Sequence, residues 1–490
     1  MRLKDILKDI QYEIIQGNIN IEINGIENDS RKVKKNYLFI SIFGFNQDGH
    51  KYINKAIDNG ANCIIICKDI IINNKDICII KVSDTKLIEC KIAMNYYNNP
   101  QNKLIKIGIT GTKGKTTTSF MIKRIIETSG YKCGLIGTTG IYINDKYYIT
   151  NNTTPDGLEI IKYMDMMVKD KIKYVVMEIS SQALKYNRVN NIIFDYGIFT
   201  NLSKDHIGNN EHTDMNDYIN SKSKLFKQSI NGIFNIDDKH YLKMIDDIKY
   251  SPKTYGFNNQ ANLKIDKVEY LIDHKNMKTK ITTSGIINNT FLVNMPGIYN
   301  AYNACSAILT CYLLGININD IKKCLKNISV KGRTEIINLG NSKIIIDYAH
   351  NGNSAENILK TVREYKPKRI ITLFGCGGNR SKDRRYEMGE VVSKYSDLCI
   401  ITEDNNRYEE FNDIANDILI GINKNKCKYK IINNREDAIK YVIKNRKKGD
   451  IILLLGKGHE DYLEIKGKKY HFDEREIINN IINNQKTDNV

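Results

Sequence analysis

The chain has 490 residues, 41% hydrophobic and 27% charged, with a formal net charge of +18. That balance excludes a disordered chain, and no apolar run approaches the ~18 residues of a membrane-spanning helix. The lysines are scattered through an asparagine- and isoleucine-rich sequence, with no basic block interleaved with aromatics, so no nucleic-acid partner is expected.

At roughly 100 to 200 residues per domain the length suits about three domains, and the 5 prolines leave no room for long stiff linkers. The 11 cysteines are odd in number, irregularly spaced and without the paired CxxC of a zinc site. Cys63, Cys67 and Cys78 lie in apolar runs and read as small core residues. Free thiols suit a reducing compartment, and the opening MRLKDILKDI is too charged for a secretion signal. A cytoplasmic protein without membrane insertion is expected.

Short β-branched runs predict strands at 62–69, 76–83, 105–110, 173–180, 195–201, 343–350, 369–378, 398–405 and 450–460. Continuous apolar strands of this kind suit parallel sheets covered on both faces. The helical period of SFMIKRIIETSG (119–130) after one of them gives the βα alternation of an α/β fold. Residues 255–295 alternate polar with apolar and predict an antiparallel insert. The breaker Asn98-Asn99-Pro100-Gln101-Asn102 and the stretch Lys331-Gly332-Arg333 mark boundaries, giving segments 1–100, 101–330 and 331–490.

The chemistry-bearing residues gather at strand ends, where ligands collect in open α/β sheets. TGTKGKTT (110–117) lies between the strand IKIGIT and the amphipathic helix. It departs from the strict Gly-x4-Gly-Lys-Ser/Thr pattern, because Ile109 stands where the first Gly belongs. Gly111, Thr112, Lys113, Gly114, Lys115, Thr116 and Thr117 still supply small residues, backbone N–H groups and a helix start for phosphate. Lys115 would neutralise phosphate charge and Thr116 would hold Mg²⁺; the bland alternative is a surface turn. Glu178 ends the run KYVVM as a metal-holding carboxylate or a cap, and His206 follows the next strand as a ligand or a structural histidine. From chemistry alone Lys222 cannot be separated from Lys224.

TGTKGKTT, EISSQALKYNR (178–188), TNLSKDH (200–206), GIYNAYN (297–303), GRTE (332–335), DYAH (347–350), FGCGGNRSKDRR (374–385) and GKGHEDY (456–462) occur in this order in one chain. With NDSRKVKKNYLFISIFGFNQDGHKYINKAI (28–57), the pattern resembles the Mur ligase family, within it the tripeptide synthetases, over about residues 25–480. That family uses a TGTxGKTT loop, so Ile109 is no defect. The resemblance implies an N-terminal α/β domain for the UDP-muramoyl substrate (1–100), a central P-loop ATPase-like parallel-sheet domain (101–330) and a C-terminal Rossmann-like domain for the incoming amino acid (331–490). ATP would phosphorylate the D-Glu side chain of UDP-N-acetylmuramoyl-L-alanyl-D-glutamate, and a diamino acid would attack the acyl phosphate to form an amide.

By the same resemblance Lys115, Glu178, His206 and Lys222 are catalytic, with Thr116, Glu178, His206 and a carbamylated Lys222 around Mg²⁺. Asn300, Asn303, Arg333 and Asp347 join the loop as ATP contacts, which implies domain closure. Ser30, Thr153, Thr154, Ser180, Tyr186 and Arg188 match contacts to the UDP-muramoyl dipeptide. Arg385, Asp404, Asn405, Asn406, Arg407, Gly456 and Glu460 match the amino-acid site. Diaminopimelate enzymes carry Asp-Asn-Pro-Arg where this chain has Asp404-Asn405-Asn406-Arg407. A guanidinium can take the second carboxylate that lysine lacks, which favours meso-diaminopimelate over L-lysine. HIGNNEHTDM (206–215) also resembles some lysine-adding members, and Asn351-Gly352-Asn353 replaces the usual Thr-Pro-Asp after DYAH. A monomer is expected. The competing readings are a ligase-inactive nucleotide-binding paralogue and another superfamily ligase such as folylpolyglutamate synthetase; the NDSR segment argues against the latter.

Overall fold

A computed structural model describes residues 1–44, 47–205, 207–208, 211–246, 248–272 and 276–487. The chain packs into two compact units, one of residues 1–264 with 305–321, the other of 265–304 with 322–490.

The first unit opens with a sheet in the order Glu13–Gln16, Cys78–Lys81, Ala61–Ile66, Tyr37–Ile40, Gly25–Glu27. Its first pair is antiparallel and the rest are parallel. Cys63 and Cys78 face each other across two of its strands, both buried and free, as core thiols should be; Cys67 is half-buried. The expected breaker is real: Asn98 and Asn99 take left-handed φ of 58° and 53°, which Asn tolerates better than most residues. Pro100 then starts a short turn.

The second sheet of this unit runs Lys253–Gly256, Ser229–Asn235, Phe194–Phe199, Ile105–Thr110, Tyr174–Glu178, Cys133–Gly137, all parallel. A hairpin, Gly140–Ile143 and Lys146–Tyr148, closes its edge. The helix Lys115–Thr128 buries Met121, Ile122, Ile125 and Ile126, a stripe at helical spacing. One consequence is central to the site: Glu178 lies beside Ile109 in register, so the end of Tyr174–Glu178 comes level with the loop after Ile105–Thr110.

The second unit holds a sheet in the order Glu335–Asn338, Lys343–Asp347, Asp450–Leu455, Arg369–Phe374, Leu398–Ile401, Lys428–Ile431. All but its first pair are parallel. Ile345, Ile370, Leu453 and Leu455 bury on one face, while Ile344, Ile346, Leu373, Ile452 and Leu454 bury on the other. This two-sided burial is what the continuous apolar runs predict. Met277–Gly285 and Asn289–Val293 pair antiparallel, the insert expected from the alternation at 255–295. A separate hairpin, Tyr462–Ile465 and Lys468–His471, follows the last parallel strand.

Candidate functional site

The loop after Ile105–Thr110 turns sharply. Gly111 has φ 152°, and a Cβ there would collide with the Thr200 hydroxyl, so no side chain fits. Gly114 caps the following helix at φ 84°. The end of the neighbouring strand clamps the turn: Asn201 Oδ1 accepts from Lys113 N at 3.0 Å and Asn201 Nδ2 donates to Lys113 O at 3.1 Å. Thr112 N donates to Asn201 O at 2.9 Å. Thr112 Oγ1 donates to Ser203 O and lies 3.2 Å from the Tyr218 hydroxyl. Lys115 Nζ curls over the loop to Gly111 O (2.8 Å) and Thr112 O (3.1 Å), and Lys113 Nζ reaches Asp205 at 3.3 Å. Thr117 is buried in the first turn of the helix.

Glu178 is fully buried. Its Oε2 accepts from Thr116 Oγ1 at 2.9 Å and Thr138 Oγ1 at 3.0 Å, and its Oε1 from Thr138 N at 3.1 Å. Among the described residues it has no ion pair. A buried carboxylate met by hydroxyls and one N–H has room, in charge, for a cation. A Cβ at Gly137 would strike the carboxylate, so that glycine lets the acid approach the next strand.

Lys222, on the helix Met215–Lys227, is also fully buried and donates to Gly111 O at 3.0 Å. Burial, joined by the charge of Lys115, holds its amine well below the ordinary lysine range, with Asp205 pulling the other way. The helix is capped by Asp214, and His212 just before it places its Nε2 2.8 Å from Ser181 Oγ and its Nδ1 3.2 Å from Asp217. Thr116, Glu178, Lys115 and Lys222 thus converge on one loop, whereas Lys224 donates to Leu184 O at 3.5 Å. His206 lies outside the described residues. Among those described, no group of three His, Cys, Asp or Glu gathers as a metal cluster.

Of the residues expected at the muramoyl dipeptide, Thr153, Thr154 and Ser180 lie around the same acid. Thr153 Oγ1 lies 3.0 Å from Thr138 Oγ1, and Thr154 Oγ1 donates to Glu178 O at 2.8 Å and accepts from Ser180 N at 2.9 Å. Ser180 caps the helix Ser181–Lys185. Arg188 donates to Thr154 O at 3.1 Å and pairs with Asp156 at 3.1 Å. The Tyr186 ring lies under Lys86. Ser30 is buried in a turn capped by Asp29. Sequence reasoning missed one acid: Glu89 is buried and accepts from Asn28 Nδ2 (2.8 Å) and Gly157 N (3.2 Å). Burial and the Asp156 charge push its carboxyl up to about 8.

The remaining residues lie in the second unit. Asn300 and Asn303 share one helix face, with Asn303 Nδ2 donating to Asn300 Oδ1 at 3.2 Å. Arg333 stacks on the Tyr348 ring, 4.6 Å from its centroid. Asp347 accepts from Thr334 N and Ala349 N; burial raises its pKa against the opposing charge of Arg333.

The amino-acid set forms a network of paired charges. Arg385, buried, bridges Asp417 (2.9 Å) and Glu409 (2.8 Å). Asn405 Nδ2 donates to Glu460 Oε2 at 2.9 Å. Asp404 Oδ1 accepts from Asn405 N at 2.6 Å, and Gly456 lies against its carboxylate. Asn406 is buried, and its Oδ1 lacks a hydrogen-bond partner among the described residues. Arg407 binds Glu464 and Gly378 O. At the centre sits Lys457, fully buried, bound to Asn405 Oδ1 (2.9 Å) and Glu460 Oε2 (3.0 Å). Lys457, Glu464 and Thr138 were not singled out from sequence. Thr138, directly after the apolar strand CGLIG, had the same strand-end signal that identified Glu178.

A phosphate loop at the edge of two parallel strands, facing a buried acid and a buried lysine, defines a nucleotide-dependent α/β enzyme. Family models agree in detail. The Mur ligase middle domain matches residues 109–311, the Mur ligase glutamate ligase domain 332–458, and the Mur ligase family catalytic domain 22–107. A Clostridium tetani protein named UDP-N-acetylmuramoyl-L-alanyl-D-glutamate–2,6-diaminopimelate ligase is 42% identical, covering 98% of this chain and 99% of its own. A Clostridium botulinum protein of the same name is 43% identical over the same shares. A solved structure of a ligase so named aligns with TM-score 0.70 at 25% identity, covering 99% of both chains. The chain belongs to the Mur ligase family. MurF of Thermotoga maritima in complex with ADP shares the fold, with TM-score 0.61 at 17% identity over 89% of this chain and 94% of that one. No helix among the described residues is long and apolar enough to cross a membrane.

Proposed function

We propose that the chain is the ATP-dependent ligase that joins meso-diaminopimelate to UDP-N-acetylmuramoyl-L-alanyl-D-glutamate in peptidoglycan precursor synthesis. The observation that carries this reading is identity of 42% across 98% of the chain to a ligase named for that reaction. The guanidinium of Arg407 beside Asp404–Asn405 adds chemical support, because diaminopimelate brings a second carboxylate and lysine does not.

A carboxylate is a poor electrophile, and phosphorylation makes it a good one. The D-Glu carboxylate attacks the γ-phosphorus of ATP, ADP leaves, and the amine of the diamino acid attacks the acyl phosphate carbon. Amide forms, phosphate departs and the amine proton is lost to solvent or a base. Lys115 and the loop N–H groups hold the phosphates. The buried carboxylate of Glu178 with Thr116 Oγ1 fits a hard cation, and His206 and Lys222 complete the proposed ligand set. Mg²⁺ held there would screen the repulsion between the phosphates and the acceptor carboxylate. Burial favours the neutral Lys222 amine, the form that adds to CO₂; carbamylation would turn this lysine into an anionic ligand.

Ser30, Thr153, Thr154, Ser180, Tyr186 and Arg188 bind the UDP-muramoyl dipeptide in this reading; Asn300, Asn303, Arg333 and Asp347 contact ATP. Arg385, Asp404, Asn405, Asn406, Arg407, Gly456 and Glu460 select the amino acid. The three-way division at 100 and 330 is supported by the three separately matched family segments. A cytoplasmic monomer suits nucleotide-linked substrates. Phosphate release by the purified protein with ATP, Mg²⁺ and the UDP-dipeptide tests the proposal. Release should require meso-diaminopimelate and yield a product heavier by that residue; release without any amino acid, or none at all, would refute it.

A further inference from the structure

The hairpin Tyr462–Ile465/Lys468–His471 is stitched to the segment that carries Arg407. Arg407 N donates to Glu464 O at 2.9 Å, Lys466 N to Arg407 O at 2.7 Å, and Glu464 N to Asn405 Oδ1 at 2.9 Å. These bonds hold Arg407 at φ 52°, a left-handed conformation uncommon for a residue other than glycine. The side chain is oriented as firmly. Nε donates to Glu464 Oε2 at 3.1 Å and Nη1 to Gly378 O at 2.7 Å. Nη2 meets no protein acceptor among the described residues. A guanidinium has five N–H donors in a rigid plane, so fixing two of them fixes the direction of the rest.

We propose that Glu464 is a positioning residue for amino-acid selection, holding the Arg407 plane so that its Nη2 side receives the distal carboxylate of the incoming diamino acid. This rests on the diaminopimelate reading above. A long arginine side chain loses rotamer freedom when it binds an anion, and a pre-set plane removes that cost before the substrate arrives. Lysine, lacking the distal carboxylate, gains nothing from the arrangement. The device lies outside the Asp404–Arg407 motif, on the hairpin.

The test compares wild type with Glu464→Ala, Glu464→Asp and Glu464→Gln in steady-state kinetics, varying each substrate in turn. Alanine should raise KM for meso-diaminopimelate about tenfold or more while KM for ATP and for the UDP-dipeptide stay put. Aspartate, shorter by one methylene, should also raise it. Glutamine, whose side-chain oxygen still accepts from Nε, should stay within about threefold of wild type. An unchanged KM in the alanine and aspartate variants would overturn the proposal, as would a glutamine variant as impaired as alanine. Wild-type turnover of meso-diaminopimelate with unmoved variant KM values removes this inference alone. Wild-type turnover of lysine alone removes both it and the reading beneath it.

Discussion

The two clusters, one in each unit, follow opposite charge plans. Around the phosphate loop, Glu178 is buried with hydroxyls and an N–H as partners, and Lys222 is buried against a carbonyl. In the amino-acid network of the second unit the charges are matched: Arg385 with Asp417 and Glu409, Lys457 with Glu460, Arg407 with Glu464. Unmatched buried charge is a cost to the fold and marks a place where charged reactants complete the site. Matched charge holds side chains in one geometry, which suits discrimination between similar amino acids.

Substitutions probe this contrast. The largest stability effect is expected in the paired network. Arg385→Met strands two carboxylates and should cost about 3–5 kcal/mol in denaturant unfolding; a cost below about 1 kcal/mol would mean the pairs are not the support they look like. Glu178→Gln should lower kcat by about 100-fold or more with little loss of stability, and near wild-type turnover would remove it from the chemistry. Lys222→Met is the opposite of Arg385→Met. Activity should vanish while thermal stability rises by about 1–2 kcal/mol, because a buried amine held toward neutrality is replaced by an apolar chain. A fall in stability would erase the difference between the two clusters.

A further effect concerns pH. Burial raises the Glu89 carboxyl from its ordinary 4.5 to about 8. The folded protein therefore keeps a proton that the unfolded chain gives up. Stability from this group is complete below the ordinary carboxyl range and is lost as pH rises toward 8. Melting temperatures of Glu89→Gln and wild type, followed across that window, should diverge, with wild type losing more; parallel curves would contradict the assignment.

Much of the fold and site is legible in the sequence, and the reasons are physical. Parallel strands bury both faces, so Ile105–Thr110, Tyr174–Glu178 and Asp450–Leu455 stand out as unbroken apolar runs. A phosphate turn needs glycine where a Cβ would collide, so Gly111 is visible despite Ile109. Strand ends are overestimated by the apolar pattern: the run 369–378 ends as a strand at Phe374, and 450–460 at Leu455, because the glycines beyond them leave the ladder. Lys222 becomes distinct from Lys224 only through burial, which periodicity alone does not assign to one of two lysines two residues apart. Lys457, Glu464 and Glu89 are hidden for a different reason. Each gains its role from a partner more than fifty residues away, Asn405 for the first two and Asn28 for the third, and no local spacing encodes such a pairing.

The most direct test is a competition. Purified protein receives ATP, Mg²⁺ and UDP-N-acetylmuramoyl-L-alanyl-D-glutamate with equimolar meso-diaminopimelate and L-lysine, and the tripeptide product is weighed by mass spectrometry. The diaminopimelate product is expected in large excess, with one phosphate released per amide formed. A product carrying lysine would contradict the role given to Arg407.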